Sequence, residues 1–189
     1  MIKNNLRTSL LKQGQLLSKN FIKHSDEKIQ KTAINFLDLK TNKNILLYFP
    51  YKYEVKLDLI TLEINKHSNN IYMPRIFLEN KMKFNLLSKL NDLKKNKYGI
   101  KEVINDDYIN PLDIDIMIVP LVGVDCNGFR LGYGGGYFDR ALSKVHSSNK
   151  KPLIVGLGYD YQICSESFGR NHDIKYDVVI TETRILYFD

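Results

Sequence analysis

Four of the chain's 11 glycines fall within five consecutive positions, at Gly132, Gly134, Gly135 and Gly136. Glycine takes positive φ angles readily and lets the backbone approach a ligand closely. Because backbone amides at the start of a helix carry partial positive charge, an apolar strand, a glycine loop and a helix in this order are typical of a phosphate cradle. Arg130 at the edge of the loop adds a bidentate donor for phosphate oxygens. The alternative is a glycine-rich turn that only reverses the chain.

The glycine spacing excludes the two best-known nucleotide-binding patterns. A P-loop requires GxxxxGK[ST], which is absent, and the GxGxxG pattern of dinucleotide-binding proteins is not met either. A dinucleotide fold would also need an acid after the next strand, and Asp160 fits that requirement only loosely. Asp139, just after the glycines, could hold Mg²⁺ against phosphate oxygens. If Asp139 stood alone, an acid that stabilises the helix dipole would be the favoured interpretation.

The charge balance favours an anionic partner without identifying it. The chain has 28 Lys and Arg against 21 Asp and Glu, a net charge of +7 that suits a polynucleotide, a nucleotide or a polycarboxylate. The charges are scattered, so a general compositional bias explains much of the excess. The longest uncharged apolar run, residues 116–124, is too short to span a membrane, and no signal sequence is recognisable. We therefore expect a cytoplasmic protein with no membrane partner.

The cysteines, histidines and aromatic residues predict no second site. Cys126 and Cys164 follow no metal-ligand spacing and are predicted to be reduced thiols. His24, His67 and His146 form neither an HExxH motif nor a nucleophile–base pair, and we expect them at the surface. The 12 Tyr and 9 Phe, interleaved with Lys, leave single-stranded nucleic-acid binding as an alternative. No RNP or GXXG signature supports it, so no nucleic-acid partner is expected.

The segments around the glycine loop alternate between helical and strand patterns. Apolar residues recur at helical spacing over residues 3–23, and a second helix is predicted to begin at Ser25-Asp26-Glu27, where a cap and an acidic first turn belong. Residues 44–49 form a continuously apolar run ended by Pro50, which is typical of a strand buried on both faces. Further strands are predicted at 71–74, 82–86, 114–122, 153–157, 178–181 and 185–188, and further helices near 57–66 and 137–146.

This alternation predicts the α/β class. The hydrophobic content of 43% suffices for one core, and no repeat or linker divides the chain, so we expect a single domain over residues 1–189. Its largely parallel sheet should be flanked by helices in a Rossmann-like three-layer architecture. Residues 88–113, which are rich in Lys, Asn and Asp, are predicted to run over the surface.

A resemblance to a known family begins with the segment from Arg130 to Arg140, RLGYGGGYFDR. This segment resembles the signature of the 5-formyltetrahydrofolate cyclo-ligases, also called methenyltetrahydrofolate synthetases. The family usually has Pro where Val103 stands, Phe where Val124 stands and a second Tyr where Phe138 stands. These departures remove no charged group and bear on the shape of the pocket. Shorter matches follow the family's order along nearly the whole chain, at Lys3 and Arg7, 49–54, Pro74, 82–84, 99–102, 158–162, 172–173 and 181–182.

The resemblance implies an enzyme, a carbon–nitrogen bond-forming ligase. It would convert 5-formyltetrahydrofolate to 5,10-methenyltetrahydrofolate with release of ADP and phosphate, through phosphorylation of the formyl oxygen. Mg²⁺ is the implied cofactor, and no covalent protein nucleophile is needed. The expected partners are ATP and 5-formyltetrahydrofolate, with or without a polyglutamate tail, and we expect a monomer.

The resemblance also assigns roles to residues that would otherwise have ordinary explanations. Without the resemblance, Lys3 and Arg7 would be interpreted as a solvated i, i+4 pair. Glu54 would be interpreted as a solvated loop acid, and Phe49 as a buried strand residue. The implied ATP-binding residues are Lys3, Arg7, Arg130, Leu131, Gly132, Tyr133, Gly134, Gly135, Gly136, Tyr137 and Phe138. The implied substrate-binding residues are Phe49, Glu54, Tyr133, Gly134, Gly135, Gly136 and Tyr137, and the implied magnesium-associated residues are Asp139 and Asp173.

Overall fold

The computed structural model describes residues 2–88, 93–145, 148, 150–170 and 172–188. The helices in these ranges are α1 (Ile2–Gln15), α2 (Lys19–Phe36), α3 (Asp58–Lys66) and α4 (Tyr137–Ala141). The strands are β1 (Asn44–Leu46), β2 (Asn70–Ile76), β3 (Met82–Leu86), β4 (Leu93–Lys95), β5 (Lys101–Val103), β6 (Tyr108–Ile109), β7 (Ile116–Val119), β8 (Gly123–Val124), β9 (Arg130–Leu131), β10 (Leu153–Leu157), β11 (Val178–Ile180) and β12 (Ile185–Tyr187).

Within the described ranges, eight strands form one large sheet in the order β12-β11-β10-β7-β1-β2-β3-β6. The central strands β11, β10, β7, β1 and β2 are parallel, and β12 and β3 pair antiparallel on either side of them. From β1 the chain proceeds to one side of the sheet, and from β7 it proceeds to the other. Ligands of such sheets bind at the carboxyl ends of the strands where this direction reverses. That position lies here between β1 and β7.

Both faces of the central strands are buried, as the apolar run over residues 44–49 predicted. Ile45 is buried on the face covered by α2 and α3, whereas Leu46 is buried on the opposite face with Phe138 of α4. Every residue of β7 is buried as well. Helices on both sides of a largely parallel sheet give three layers, which confirms the predicted fold class.

The helix boundaries near the amino terminus differ from the prediction. The helix expected over residues 3–23 is broken, and α2 has Ser18 as its N-cap, whose hydroxyl accepts a 3.1 Å hydrogen bond from the amide of Phe21. The predicted helix start at Ser25-Asp26-Glu27 is therefore wrong. Asp26 is buried within α2, and its carboxylate accepts a 2.5 Å hydrogen bond from the hydroxyl of Tyr159. A tertiary contact, and not a helix start, explains the acid at this position.

Most of the described residues in the range 88–113 are exposed or half-buried, in agreement with the predicted path over the surface, but the segment contains regular strands. Strands β4 and β5 form a hairpin, β6 joins the edge of the large sheet, and Glu102 and Val103 are buried. The predicted strand 114–122 ends earlier, at Val119, because Pro120 has no amide to donate to a strand pair. Helix α4 is likewise shorter than the predicted helix at 137–146.

The structure also bears on the expectations for membrane spans, cysteines and histidines. No helix in the described ranges is both long and apolar enough to cross a membrane. Cys126 and Cys164 are free, as predicted. His24 is exposed, and His67 is half-buried with its ring nitrogen 3.3 Å from a carboxylate oxygen of Glu63. His146 lies outside the described residues.

Candidate functional site

A cavity of about 1200 Å³ opens at the carboxyl ends of β1 and β7. Small-molecule pockets typically measure roughly 300–1,000 Å³, so this cavity is large enough for two ligands side by side. The chain segments that follow β1 and β7 contribute Phe49 and Pro120 to its wall. Each site residue named from the sequence lies on the wall, namely Lys3, Arg7, Phe49, Glu54, Arg130, Leu131, Gly132, Tyr133, Gly134, Gly135, Gly136, Tyr137, Phe138, Asp139 and Asp173.

The glycine loop connects β9 to α4 and forms one side of the cavity. Gly134 has φ 101° and Gly136 has φ 62°, which are conformations that residues with a Cβ adopt only with strain. Two arginines fix the loop through its carbonyls. The Nε of Arg7 donates a 2.7 Å hydrogen bond to Gly132, and an Nη of Arg140 donates a 2.7 Å hydrogen bond to Gly135. Because these carbonyls are bonded to arginines, the cavity side of the loop carries an excess of positive charge.

Helix α1 brings two cations to the same side of the cavity, one helical turn apart. The Nζ of Lys3 lies 2.5 Å from a carboxylate oxygen of Asp173. The guanidinium of Arg7 is held by Gly132 and by the side chain of Asn4, at 2.7 Å. Burial and the nearby positive charge of Arg130 lower the pKa of Arg7. An anionic ligand would relieve this repulsion between guanidinium groups, which favours a phosphate-binding role for this corner.

Arg130 is buried, whereas the sequence placed it at the edge of the loop. Only 8% of the residue is exposed, and its Nε donates a 2.6 Å hydrogen bond to the carbonyl of Pro120. One Nη lies 3.8 Å from a carboxylate oxygen of Asp139, and the guanidinium stacks 5.2 Å from the ring centroid of Phe138. Arg130 therefore joins the end of β7 to the start of α4 and also presents charge to the cavity.

If the cavity binds ATP, as the family resemblance implies, an Arg130→Ala variant should bind it less tightly by about 1.5–3 kcal/mol, because a charge-assisted contact to phosphate would be lost. The variant should also unfold at a lower temperature, since the carbonyl of Pro120 and the carboxylate of Asp139 would lose a partner. Arg130→Lys retains the charge and provides a second variant if the first does not fold. Arg184→Ala is the control, because Arg184 pairs with Asp160 outside the cavity wall. Calorimetry gives the dissociation constants, and unchanged ATP affinity in folded variants would place Arg130 outside the phosphate site.

Glu54 lies on a different part of the wall, in the loop that follows β1. An oxygen of its carboxylate accepts a 2.8 Å hydrogen bond from the amide of Tyr51. Burial raises the pKa of Glu54 to about 8, although the bond from Tyr51 and the charge of Arg130 favour the ionised form. The ring of Tyr133 packs edge-on against Tyr51, with 5.3 Å between centroids. A carboxyl group among aromatic rings is suited to hydrogen bonding with the N–H edge of a flat heterocycle.

Asp139 and Asp173 lie on adjoining segments. An oxygen of Asp139 accepts a 3.3 Å hydrogen bond from the amide of Ile174, the residue after Asp173. No group of three or more metal-binding side chains occurs among the described residues. Two carboxylates beside this cationic corner nevertheless fit Mg²⁺, which usually takes one or two carboxylates and completes its shell with water and phosphate oxygens. The donor types and their position thus suit this ion.

Sequence reasoning missed a third side of the cavity, contributed by the β4–β5 hairpin. Asn96, Tyr98 and Glu102 of the hairpin line the wall, as does Arg140 of α4. The ordered match at residues 99–102 was the available signal, but it gave no role to any side chain. Asp160, the acid considered for a dinucleotide, instead binds Thr183 and Arg184 and is not part of this wall.

Comparisons with known proteins all give the same family. The model of the 5-formyltetrahydrofolate cyclo-ligase family matches residues 1–182. The 5-formyltetrahydrofolate cyclo-ligase of Mycoplasma genitalium is 31% identical over 183 residues, which cover 94% of this chain and 96% of that protein. The enzyme of the same name from Haemophilus influenzae is 33% identical over 142 residues, or 73% of this chain and 75% of that protein. The NMR structure of Aquifex aeolicus 5,10-methenyltetrahydrofolate synthetase superposes with a TM-score of 0.85 at 30% identity, covering 99% of this chain and 93% of that one.

Proposed function

Because the chain belongs to the 5-formyltetrahydrofolate cyclo-ligase family, we propose that it uses ATP to close the ring of 5-formyltetrahydrofolate, giving 5,10-methenyltetrahydrofolate, ADP and phosphate. The observation that carries the proposal is a single cavity with two unlike sides. One side has the glycine loop with Lys3, Arg7 and Arg130, and the other has Glu54 among tyrosines. The first suits a polyphosphate, and the second suits a flat heterocycle with N–H donors.

The reaction needs activation because the oxygen of an amide-like formyl group is a poor leaving group. In the proposed sequence, the formyl oxygen attacks the terminal phosphorus of ATP, and ADP leaves. The second nitrogen of the folate then attacks the formyl carbon and loses its proton to the phosphate or to solvent, and phosphate departs as the ring closes. Neither step requires a protein nucleophile. The protein mainly positions the two substrates and neutralises charge, as is usual in phosphoryl transfer.

The cationic side of the cavity would hold the phosphates. Lys3 and Arg7 lie one helical turn apart on α1, and Arg7 is bonded to the carbonyl of Gly132 in the glycine loop. The buried guanidinium of Arg130 faces the same space from behind the loop. Lys3 is paired with Asp173, so it would exchange or share this partner when phosphate binds. Bound Mg²⁺ would be held by Asp139 and Asp173 and would supply charge neutralisation at the phosphates.

The folate would occupy the opposite side. Glu54 accepts hydrogen bonds and would take them from the amino and N–H groups of the pterin ring. Phe49 and Tyr133 supply apolar walls for a flat ring. The net charge of +7 would also favour the carboxylates of a glutamate tail.

The test is the coupling of ATP consumption to the folate. We expect phosphate release only when 5-formyltetrahydrofolate is present, together with the absorbance of methenyltetrahydrofolate, because the phosphoryl acceptor is the folate itself. Parallel assays with ATP alone, with folate alone and with both substrates provide the measurement. Equal ATP hydrolysis with and without the folate would contradict the proposal.

A further inference from the structure

The tip of the β4–β5 hairpin contacts the start of α4, directly after the glycine loop. The hydroxyls of Tyr98 on the hairpin and Tyr137 at the start of α4 lie 3.2 Å apart. Their rings are in edge contact, with centroids 6.4 Å apart at an interplanar angle of 75°. Both tyrosines line the cavity. The contact therefore joins two walls that are far apart in the sequence.

Asn96 fixes the turn that carries Tyr98. The side-chain oxygen of Asn96 accepts hydrogen bonds from the amides of Tyr98, at 2.9 Å, and Ile100, at 3.1 Å. The backbone of Gly99 closes the turn with a 2.9 Å bond to the carbonyl of Asn96, and its φ of 78° suits glycine. The position of the Tyr98 ring thus depends on the orientation of one amide side chain.

Glu102 fixes Asn96 in turn. Only 6% of Glu102 is exposed, and one of its oxygens, Oε1, accepts hydrogen bonds from the side chain of Asn96, at 2.8 Å, and from the amide of Ile76, at 2.9 Å. Ile76 is the last residue of β2 in the large sheet. A continuous series of contacts therefore runs from the sheet through Glu102 and Asn96 to Tyr98.

We propose that Glu102 and Asn96 are positioning residues that hold Tyr98 against Tyr137, and that this contact keeps water out of the cavity during the reaction. The proposal rests on the proposed function, which passes through a phosphorylated formyl group. Attack of water on that group would return 5-formyltetrahydrofolate and phosphate, so ATP would be hydrolysed without product. A closed cavity prevents this side reaction.

The test is the ratio of phosphate released to methenyltetrahydrofolate formed. Tyr98→Phe removes one hydroxyl at a half-exposed position, so the variant should fold normally. Loss of one neutral hydrogen bond corresponds to about a two- to tenfold effect, and we expect the excess of phosphate over product, which is the ratio minus one, to rise by that factor. Tyr108→Phe is the matched control, because Tyr108 is 46% exposed against 47% for Tyr98 and does not line the cavity.

Variants of Glu102 test the anchoring part of the proposal. Glu102→Ala removes both hydrogen bonds and should raise the ratio at least as much as Tyr98→Phe. Glu102→Gln retains the single oxygen that accepts both bonds, so its ratio should stay near that of the wild type. If Tyr98→Phe and Glu102→Ala leave the excess of phosphate over product at the wild-type value, the proposal is wrong, even if Glu102→Ala is less stable. If the wild type forms no methenyltetrahydrofolate, the proposed function fails instead.

Discussion

An Asp139→Asn variant should lose turnover by roughly a hundredfold or more at low magnesium, because loss of a metal contact forfeits several kcal/mol of charge stabilisation at the phosphates. Part of the activity should return at high magnesium. The competing explanation, an acid that only stabilises the helix dipole, predicts unchanged turnover per folded molecule and a stability loss of about 0.3–1 kcal/mol. Activity as a function of magnesium concentration separates the two explanations.

The Asp139→Asn substitution should also change the stability of the protein, for a reason that does not involve magnesium. Asp139 lies 3.8 Å from the buried guanidinium of Arg130, so its replacement by Asn removes the salt bridge that the described residues give this cation. We expect the free energy of unfolding without ligand to fall by about 1–3 kcal/mol. Asp160→Asn is the control, because Asp160 also pairs with an arginine, Arg184 at 3.3 Å, but lies outside the cavity wall. Normal turnover with an unshifted magnesium curve would exclude the metal role of Asp139.

The parallel sheet could be predicted from the sequence because its signal is local. A strand covered on both faces must be apolar at every buried position, and residues 45–49 and 116–119 have this property. The start of α2 could not be located in the same way. Asp26 has the residue type of a helix cap, but its carboxylate accepts a hydrogen bond from Tyr159, which is 133 positions away. Nothing within the helix distinguishes these two uses of an acid.

The contrast between local signals and contacts of distant residues also applies to the site. The glycine loop was recognisable because the positive φ angles of Gly134 and Gly136 are requirements of the local backbone. The bond from Arg7 to Gly132 and the contact of Tyr98 with Tyr137 join distant segments and have no local pattern. Such pairings become visible only when the fold brings the segments together.

One departure from the family signature has a packing explanation. Phe138 stands where the family usually has tyrosine, and its ring stacks on Phe84 with centroids 6.3 Å apart at 28°. Both residues belong to the apolar cluster on the α4 side of the sheet, with Phe84 1% and Phe138 8% exposed. A hydroxyl group there would need a polar partner, so phenylalanine suits this environment.

A Glu54→Gln variant should change how stability depends on pH. Burial raises the pKa of Glu54 to about 8 from 4.5, so the folded protein retains a proton that the unfolded chain releases. The stabilisation from this proton is complete below pH 4.5 and is lost as the pH rises to about 8. The wild type should thus lose about 3 kcal/mol of unfolding free energy between pH 5 and pH 7.5 from this group, and Glu54→Gln should abolish that part of the slope. Glu27→Gln, at an exposed site, should leave it unchanged.

The raised pKa of Glu54 also leads to a prediction about folate binding. If the ionised carboxylate of Glu54 accepts hydrogen bonds from the pterin, the pKa of Glu54 must fall on binding, because the bonds favour its charged form. Near pH 7 Glu54 is then largely protonated before the folate binds, and binding should release a substantial fraction of one proton per molecule. Calorimetric titration in buffers with different ionisation enthalpies measures this number. Glu54→Gln should bind more weakly and release no proton. A wild type that binds tightly with no proton release would show that Glu54 does not bind the pterin as an ionised carboxylate.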